Sequence, residues 1–233
     1  MSTLLTAALI VGASLVSFVS LASEESDRPN PIELVNSRVV AGELLLRHDG
    51  TVRGYLMSLL DALHIDPASQ MLVFSKTSLQ MDRISPTNPR ALFFNDEVSV
   101  GFVPGGNLIE LAAFDPKLGV VFYALPAAAS PDPLKLERKD RECASCHTST
   151  PRASMVVQSV FPMEDGTAFI SLGTIMPKAV DHRTPFEDRW GGWYVTGTHG
   201  AMRHMGNSLP KDDFHPLDLV GPLQVLSALA QLD

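Results

Sequence analysis

The sequence predicts an α+β fold, with N-terminal helices followed by an antiparallel sheet of short strands. Leucines recur at helical spacing between residues 53 and 64. Short β-branched and aromatic runs, separated by turn-forming residues, then follow between residues 91 and 125. The chain also has 16 glycines and 17 prolines among 233 residues, which favours many turns over a helical bundle. Helices packed against an antiparallel sheet form an α+β domain.

The first part of the chain accounts for the helices. Residues 32–47 are apolar in patches, and residues 53–64 form an amphipathic helix that Asp66-Pro67 ends. Its apolar stripe is typical of core packing and consists of Leu56, Leu59, Leu60 and Leu63.

The middle of the chain accounts for the sheet. Residues 82–90 contain Pro86 and Pro89 and are predicted to form a loop, and residues 126–133 form an Ala/Pro linker. The charged residues 137–142 predict a solvated helical turn. A later hairpin is predicted from residues 155–161 and 167–173, joined by a turn at 164–166. The strands predicted for the main sheet are residues 71–74, 91–94, 98–103, 108–114 and 119–125.

The only two cysteines lie in the pattern C-x-x-C-H, formed by Cys143, Cys146 and His147. Two residues between the thiols let both sulfurs add to the two vinyl groups of one haem from a single turn of chain. The histidine that follows can then give its imidazole to the iron as the proximal ligand. The pattern therefore predicts covalent attachment of haem c.

Through these three residues the chain resembles c-type cytochromes. The resemblance implies one haem c per chain and electron transfer. Small members of that family are all-helical, with the motif near the start of the mature chain. Here the motif follows helices and strands, so we expect residues 32–233 to form a haem-c-binding α+β domain and not the standard all-α cytochrome c fold. Residues 91–207 also resemble uncharacterised exported bacterial mono-haem proteins. This resemblance carries no information about activity.

Other interpretations of the cysteines remain open. A redox-active C-x-x-C usually occurs in a βαβ unit, and no such pattern surrounds this one. Structural zinc normally requires two separated ligand pairs, and a disulfide between residues three apart is geometrically awkward. The alternative functions are a haem enzyme or sensor with an open distal site, and a haem-free exported thiol oxidoreductase.

Candidates for a second axial ligand lie in residues 181–207, which hold both tryptophans, three histidines and two methionines. Aromatic side chains cover a flat macrocycle well, and His or Met can ligate its iron. His199 ranks first because Gly197 and Gly200 flank it and allow close backbone approach. Arg189 and Arg203 are weighed as partners of haem propionates, although an exposed arginine is the commoner role for either. The next candidates for the distal ligand are His182 and Met205.

The N-terminus predicts export. Residues 4–22 carry no charge, and Ser20-Leu21-Ala22 supplies small residues at the −3 and −1 positions of a cleavage site. Residues 1–22 are therefore predicted to be a signal peptide, with an uncleaved membrane anchor as the alternative. The chain is expected to be periplasmic, or anchored and facing the periplasm, with membrane contact only if the segment is uncleaved. Residues 23–31 form a linker.

Charge and the C-terminal end set further expectations. The formal net charge of −8 disfavours nucleic acid as a partner and suits a basic redox partner protein. Residues 216–233 are apolar with helical period. That pattern indicates either a docking helix or a chain truncated relative to a longer protein.

Overall fold

The computed structural model describes residues 28–128, 134–147, 155, 158–160, 162–168 and 178–207. The predicted signal peptide or anchor, most of the linker before the first helix and the predicted C-terminal helix lie outside the described residues. Among the residues that are described, no helix is long and apolar enough to cross a membrane.

The α+β prediction is confirmed, because three helices accompany a seven-stranded antiparallel sheet in the part of the chain that the structure describes. The helices are α1 (Pro31–Val40), α2 (Leu56–Ala62) and α3 (Asp140–His147). The strands are β1 (Met71–Val73), β2 (Arg90–Phe94), β3 (Val98–Phe102), β4 (Leu108–Asp115), β5 (Gly119–Pro126), β6 (Glu137–Arg138), β7 (Gln158–Ser159), β8 (Lys178–Ala179) and β9 (Trp193–Tyr194). In the sheet the strand order is β6-β5-β4-β3-β2-β1-β9, and β7 pairs separately with β8.

The start of α1 is fastened to the sheet by Asn30. Its side chain accepts a hydrogen bond from the backbone N–H of Glu33 at 3.1 Å, which satisfies one of the free donors at the helix start. Its amide nitrogen also donates to Asp115 of β4 and to the Tyr123 hydroxyl of β5, each at 3.2 Å. Pro31 is therefore the first helical residue, and Asn30 caps the helix from within the range predicted as a linker.

One face of the sheet packs against α1 and α2 and forms the hydrophobic core. Ile32 and Val35 of α1 lie in this core with the buried leucines of α2. Because side chains alternate between faces along a strand, every second strand residue joins them. The strand contributors include Phe93, Val100, Phe102, Ile109, Leu111, Tyr123 and Leu125.

The opposite face is also lined by buried apolar side chains. Phe122, Ala124, Val73 and Trp193 are buried but do not belong to the core cluster beneath α1 and α2. Val73 lies opposite Trp193 in one pairing and opposite Arg90 in the other. We call this second side of the sheet the α3 face, because α3 packs on it.

Two details of the sequence prediction are wrong. Glu137 and Arg138 form β6 beside β5, so only Asp140 to Glu142 of the charged run is helical. Arg90, predicted to be in a loop, begins β2. In the described part of the later hairpin, the turn has the predicted position, with an antiparallel bridge between Pro162 and Ala168, and Gln158 and Ser159 pair with β8. Residues 169–173 lie outside the described part of the chain.

Candidate functional site

Helix α3 is fastened to β5 at its first residue. The Asp140 carboxylate accepts a hydrogen bond from the backbone N–H of Phe122 at 2.8 Å. The Lys139 N–H donates to the Phe122 carbonyl at 2.9 Å, and Arg138 Nε donates to the other Asp140 oxygen at 2.6 Å. These contacts hold the strand, the turn and the helix start together, so the residues that follow in α3 are carried over the sheet.

Helical periodicity decides which motif residues meet the sheet. Asp140, Cys143, Ala144 and His147 recur at positions i, i+3, i+4 and i+7, and all four are partly buried. Cys146 is exposed on the adjoining side of the helix. Both cysteines are free thiols. The two sulfurs therefore flank one edge of α3, with one facing the sheet and the other facing solvent.

His147 contacts an aromatic ring of the α3 face. Its imidazole lies 4.7 Å from the Phe122 ring, centroid to centroid, at an interplanar angle of 47°. Phe122 is itself 5% exposed and is the residue whose backbone anchors the start of α3. One strand residue therefore fixes both ends of the two-turn helix that carries the motif.

The Cys143 thiol is difficult to ionise. Burial, reinforced by the negative charges of Glu110, Glu142 and Asp140, raises its pKa to about 11. Nucleophilic C-x-x-C cysteines have the opposite property, because the thiolate is the reactive species and their pKa values are lowered. The surroundings of Cys143 therefore suit a thioether or a thiol better than a redox-active thiolate.

The raised pKa of Cys143 predicts that this thiol is alkylated slowly in haem-free folded protein. At pH 8 a thiol with a pKa of about 11 is ionised in about one molecule per thousand, whereas an ordinary thiol is ionised in about a quarter. Allowing for partial solvent access, we expect iodoacetamide to modify Cys143 at least tenfold more slowly than exposed Cys146. Mass spectrometry of the Cys143→Ala and Cys146→Ala variants checks this. Urea-unfolded samples, in which the rates should converge, are the control, and equal folded-state rates would contradict it.

A charged cluster also lies on the α3 face. The Arg90 guanidinium contacts the Glu110 carboxylate at 3.5 Å, and the two side chains are only 16% and 18% exposed. Glu110 also accepts hydrogen bonds from the Ser78 hydroxyl at 2.9 Å and from the Leu79 N–H at 3.1 Å. Burial lowers the pKa of Arg90, and Glu110 opposes that shift. Arg90 Nε is buried without a hydrogen-bond partner among the described residues.

His199 lies in a different part of the sheet from His147. It follows β9, and four strands separate β9 from β5, where α3 packs. At about 4.8 Å per strand, β5 and β9 lie roughly 24 Å apart. Gly197 lines a groove with Pro67 and Met71 at the β1–β9 edge. The structure therefore does not bring His199 and His147 together, and His199 as distal ligand stays a prediction.

The two histidines of the β9 segment have different hydrogen bonds. His199 Nδ1 lies 3.0 Å from the Met202 carbonyl, so in the neutral ring this nitrogen carries the proton and Nε2 has the lone pair. His204 Nδ1 instead accepts from the Gly206 N–H at 3.0 Å, so its Nε2 carries the proton in the neutral ring. Burial, together with His199 4.4 Å away between ring centroids, lowers the pKa of His204. Of the two, His199 has the protonation pattern of a metal ligand.

The other predicted site residues of this segment have local contacts. Arg189 donates to the Thr184 and His182 carbonyls at 2.7 and 3.1 Å and stacks on Phe186. These contacts fold its own loop, while His182 is exposed. Met205 sulfur lies 3.8 Å from the Ser159 hydroxyl. Arg203 is exposed.

No family model, curated protein or solved structure matches this chain. Within the described residues, no group of three or more His, Cys, Asp or Glu is arranged to hold a metal ion. The site is therefore defined by the motif on α3 and by the sheet face beneath it.

Sequence patterns did not point to Phe122, Glu110 or Arg90. A faint signal exists for Glu110, which interrupts the apolar run of β4 with a carboxylate. The sequence contains no such signal for Arg90, because this residue directly follows a proline and borders a loop. Their importance comes from strand pairing that the local sequence does not show.

Proposed function

We propose that the chain is an exported mono-haem c-type cytochrome that transfers electrons, with haem bound to Cys143 and Cys146. The main support is the placement of C-x-x-C-H on α3. Two free thiols and a partly buried histidine project from a short helix that is anchored on a face of buried apolar side chains. The donors on α3 fit thioether attachment and iron ligation.

Each residue has a separate role in this proposal. The thiols of Cys143 and Cys146 each add S–H across one vinyl group, so a C–S bond forms and the proton goes to the neighbouring carbon. His147 supplies the proximal imidazole, and its ring packs on Phe122. When bound, the haem supplies an iron that takes up and releases one electron. The exposed Cys146 edge is open to a partner protein, and the net charge of −8 favours a basic one.

A haem enzyme or sensor with an open sixth position is the second candidate. The roughly 24 Å between β5 and β9 favours it, because His199 lies away from the motif. Carbon monoxide on the ferrous protein and cyanide on the ferric protein would shift the absorption spectrum of such a haem. A spectrum that neither ligand changes supports electron transfer with a fixed sixth ligand.

A haem-free thiol oxidoreductase is the third candidate, and the Cys143 environment disfavours it. A pKa of about 11 suppresses the thiolate that thiol–disulfide exchange requires. The same burial has no such consequence for a thioether, which carries no ionisable proton.

The proposed function is tested by extraction with acidified acetone followed by a pyridine haemochrome spectrum. The full chain is expressed in an export host with haem-attachment machinery. We expect the chromophore to stay with the polypeptide and to show the band of a haem with two saturated vinyl groups. A colourless protein from a host whose other cytochromes mature normally would refute the proposal.

A further inference from the structure

Arg90 reaches across the α3 face from β2 to β4. Its Nη1 contacts the Glu110 carboxylate at 3.5 Å, although β3 lies between the two strands. The crossing point is Gly101, which pairs with both Leu92 and Glu110. A β-carbon at residue 101 would lie 3.7 Å from Arg90 Cδ and 3.6 Å from a Glu110 oxygen. The Arg90 chain therefore lies over Gly101 and places its guanidinium beside β4.

One donor of the Arg90 guanidinium lacks an acceptor among the described residues. Arg90 Nε is buried, and no described residue accepts its hydrogen bond. Leaving a charged buried donor without a partner is costly, so such a group normally marks an acceptor that is supplied from elsewhere. Nε–H forms one edge of the guanidinium with Nη2–H, and that edge matches a carboxylate with two parallel hydrogen bonds.

This edge is close to the attachment motif. Glu110 pairs with Ala124 of β5, two residues from Phe122, on which His147 packs. The charge of Glu110 also contributes to the raised pKa of the Cys143 thiol. Arg90, Glu110, Phe122 and Cys143 therefore share one side of the sheet, and a group held at Cys143 lies within the field of the Arg90–Glu110 pair.

We propose that Arg90 binds a haem propionate through its Nε edge and acts as a positioning residue that raises the reduction potential. The inference rests on the proposed function, because haem attached at α3 is what brings a carboxylate to this face. A buried cation favours the reduced haem, which carries one positive charge fewer than the oxidised form. It also lowers the pKa of the propionate that it binds, while Glu110 opposes both effects.

The test compares Arg90→Gln with Arg183→Gln in the purified holoprotein. Arg183 is a matched control, because its substitution removes the same charge from an exposed side chain whose ion pair is a local one with Asp181. We expect Arg90→Gln to make reduction about tenfold less favourable, or about 59 mV for one electron. The reduction potential falls as the pH rises through the propionate pKa. In Arg90→Gln this fall should occur at higher pH than in the parent protein, because the substitution raises the propionate pKa. Arg90→Lys should be intermediate and serves if Arg90→Gln does not fold.

A Glu110→Gln background separates direct from indirect action. If Arg90 binds the propionate, Arg90→Gln still lowers the potential and shifts its pH dependence when Glu110 is already neutral. If Arg90 only neutralises Glu110, the effect disappears in that background and the inference is overturned. Equal potentials for the Arg90→Gln and Arg183→Gln holoproteins overturn it as well. Absence of covalent haem in the parent chain is a different result, which refutes the proposed function itself.

Discussion

Replacing Cys143 and Cys146 together with alanine is expected to give a chain that retains no haem after acidified acetone. Both substitutions remove a thiol that forms a bond to the porphyrin, and His147 alone provides only a reversible iron–nitrogen bond. The expected loss is complete, from one haem per chain to none. Cys143 is only partly buried, Cys146 is exposed, and alanine is well tolerated in a helix. We therefore expect the double variant to fold. The haemochrome assay measures the loss, and circular dichroism checks the fold.

The single variants and a neighbouring control sharpen this prediction. Ser145→Ala alters one of the two residues between the cysteines. Its hydroxyl donates to the Glu142 carbonyl at 3.2 Å and lies 3.8 Å from the Cys146 sulfur, but it forms no bond to the porphyrin, so this variant should keep the full complement of haem. Cys143→Ala or Cys146→Ala leaves one thioether, so one vinyl group stays conjugated and the haemochrome band moves to longer wavelength. Full retention of haem by the double variant would show that the polypeptide holds it by another means.

The sequence predicted the fold because its signals are local. The stripe at Leu56, Leu59 and Leu60 became α2, and the punctuated runs between residues 91 and 125 became β2 to β5. Alternation and helical period are properties of consecutive residues, so they can be read without tertiary contacts. The prediction for residues 137–138, before Cys143, is wrong for the same reason. Glu137 and Arg138 look like a solvated turn, but β5 offers them unpaired backbone groups, and they became β6.

The candidate site was predictable only where its chemistry is contiguous. The motif residues Cys143, Cys146 and His147 lie within five consecutive positions, so their spacing alone supports the hypothesis of haem attachment. The sheet surface beneath them is formed by β2, β4 and β5. Arg90 on β2 and Glu110 on β4 are 20 residues apart in the sequence. The ranking of His199 relied on nearby glycines and could not include the order of the strands, which places β9 at the far edge of the sheet from β6. Long-range pairing decides such distances.

Gly192→Ala is expected to lower the free energy of unfolding by roughly 2 to 5 kcal/mol. Gly192 has a φ of +84°, and a β-carbon there would lie 2.6 Å from Ser75 Cβ and 2.8 Å from Val160 Cγ2. The backbone at Gly192 cannot shift without losing hydrogen bonds. The Gly192 carbonyl accepts hydrogen bonds from the N–H groups of Phe74 and Ser75 at 2.9 and 3.1 Å, which join the segment before β9 to the end of β1. Alanine therefore adds backbone strain and a collision, or breaks these hydrogen bonds. Urea unfolding at equilibrium measures the change.

Gly200→Ala separates the two contributions. Gly200 also has a positive φ, +60°, but nothing lies within 4 Å of the position that a β-carbon would occupy. This control should show only the left-handed backbone penalty of about 1 to 2 kcal/mol. The difference between the variants then measures the packing of residues 190–194 against β1 and Val160. Equal losses would contradict that packing. A larger loss for Gly192→Ala would show that the aromatic segment is held to the sheet through this glycine.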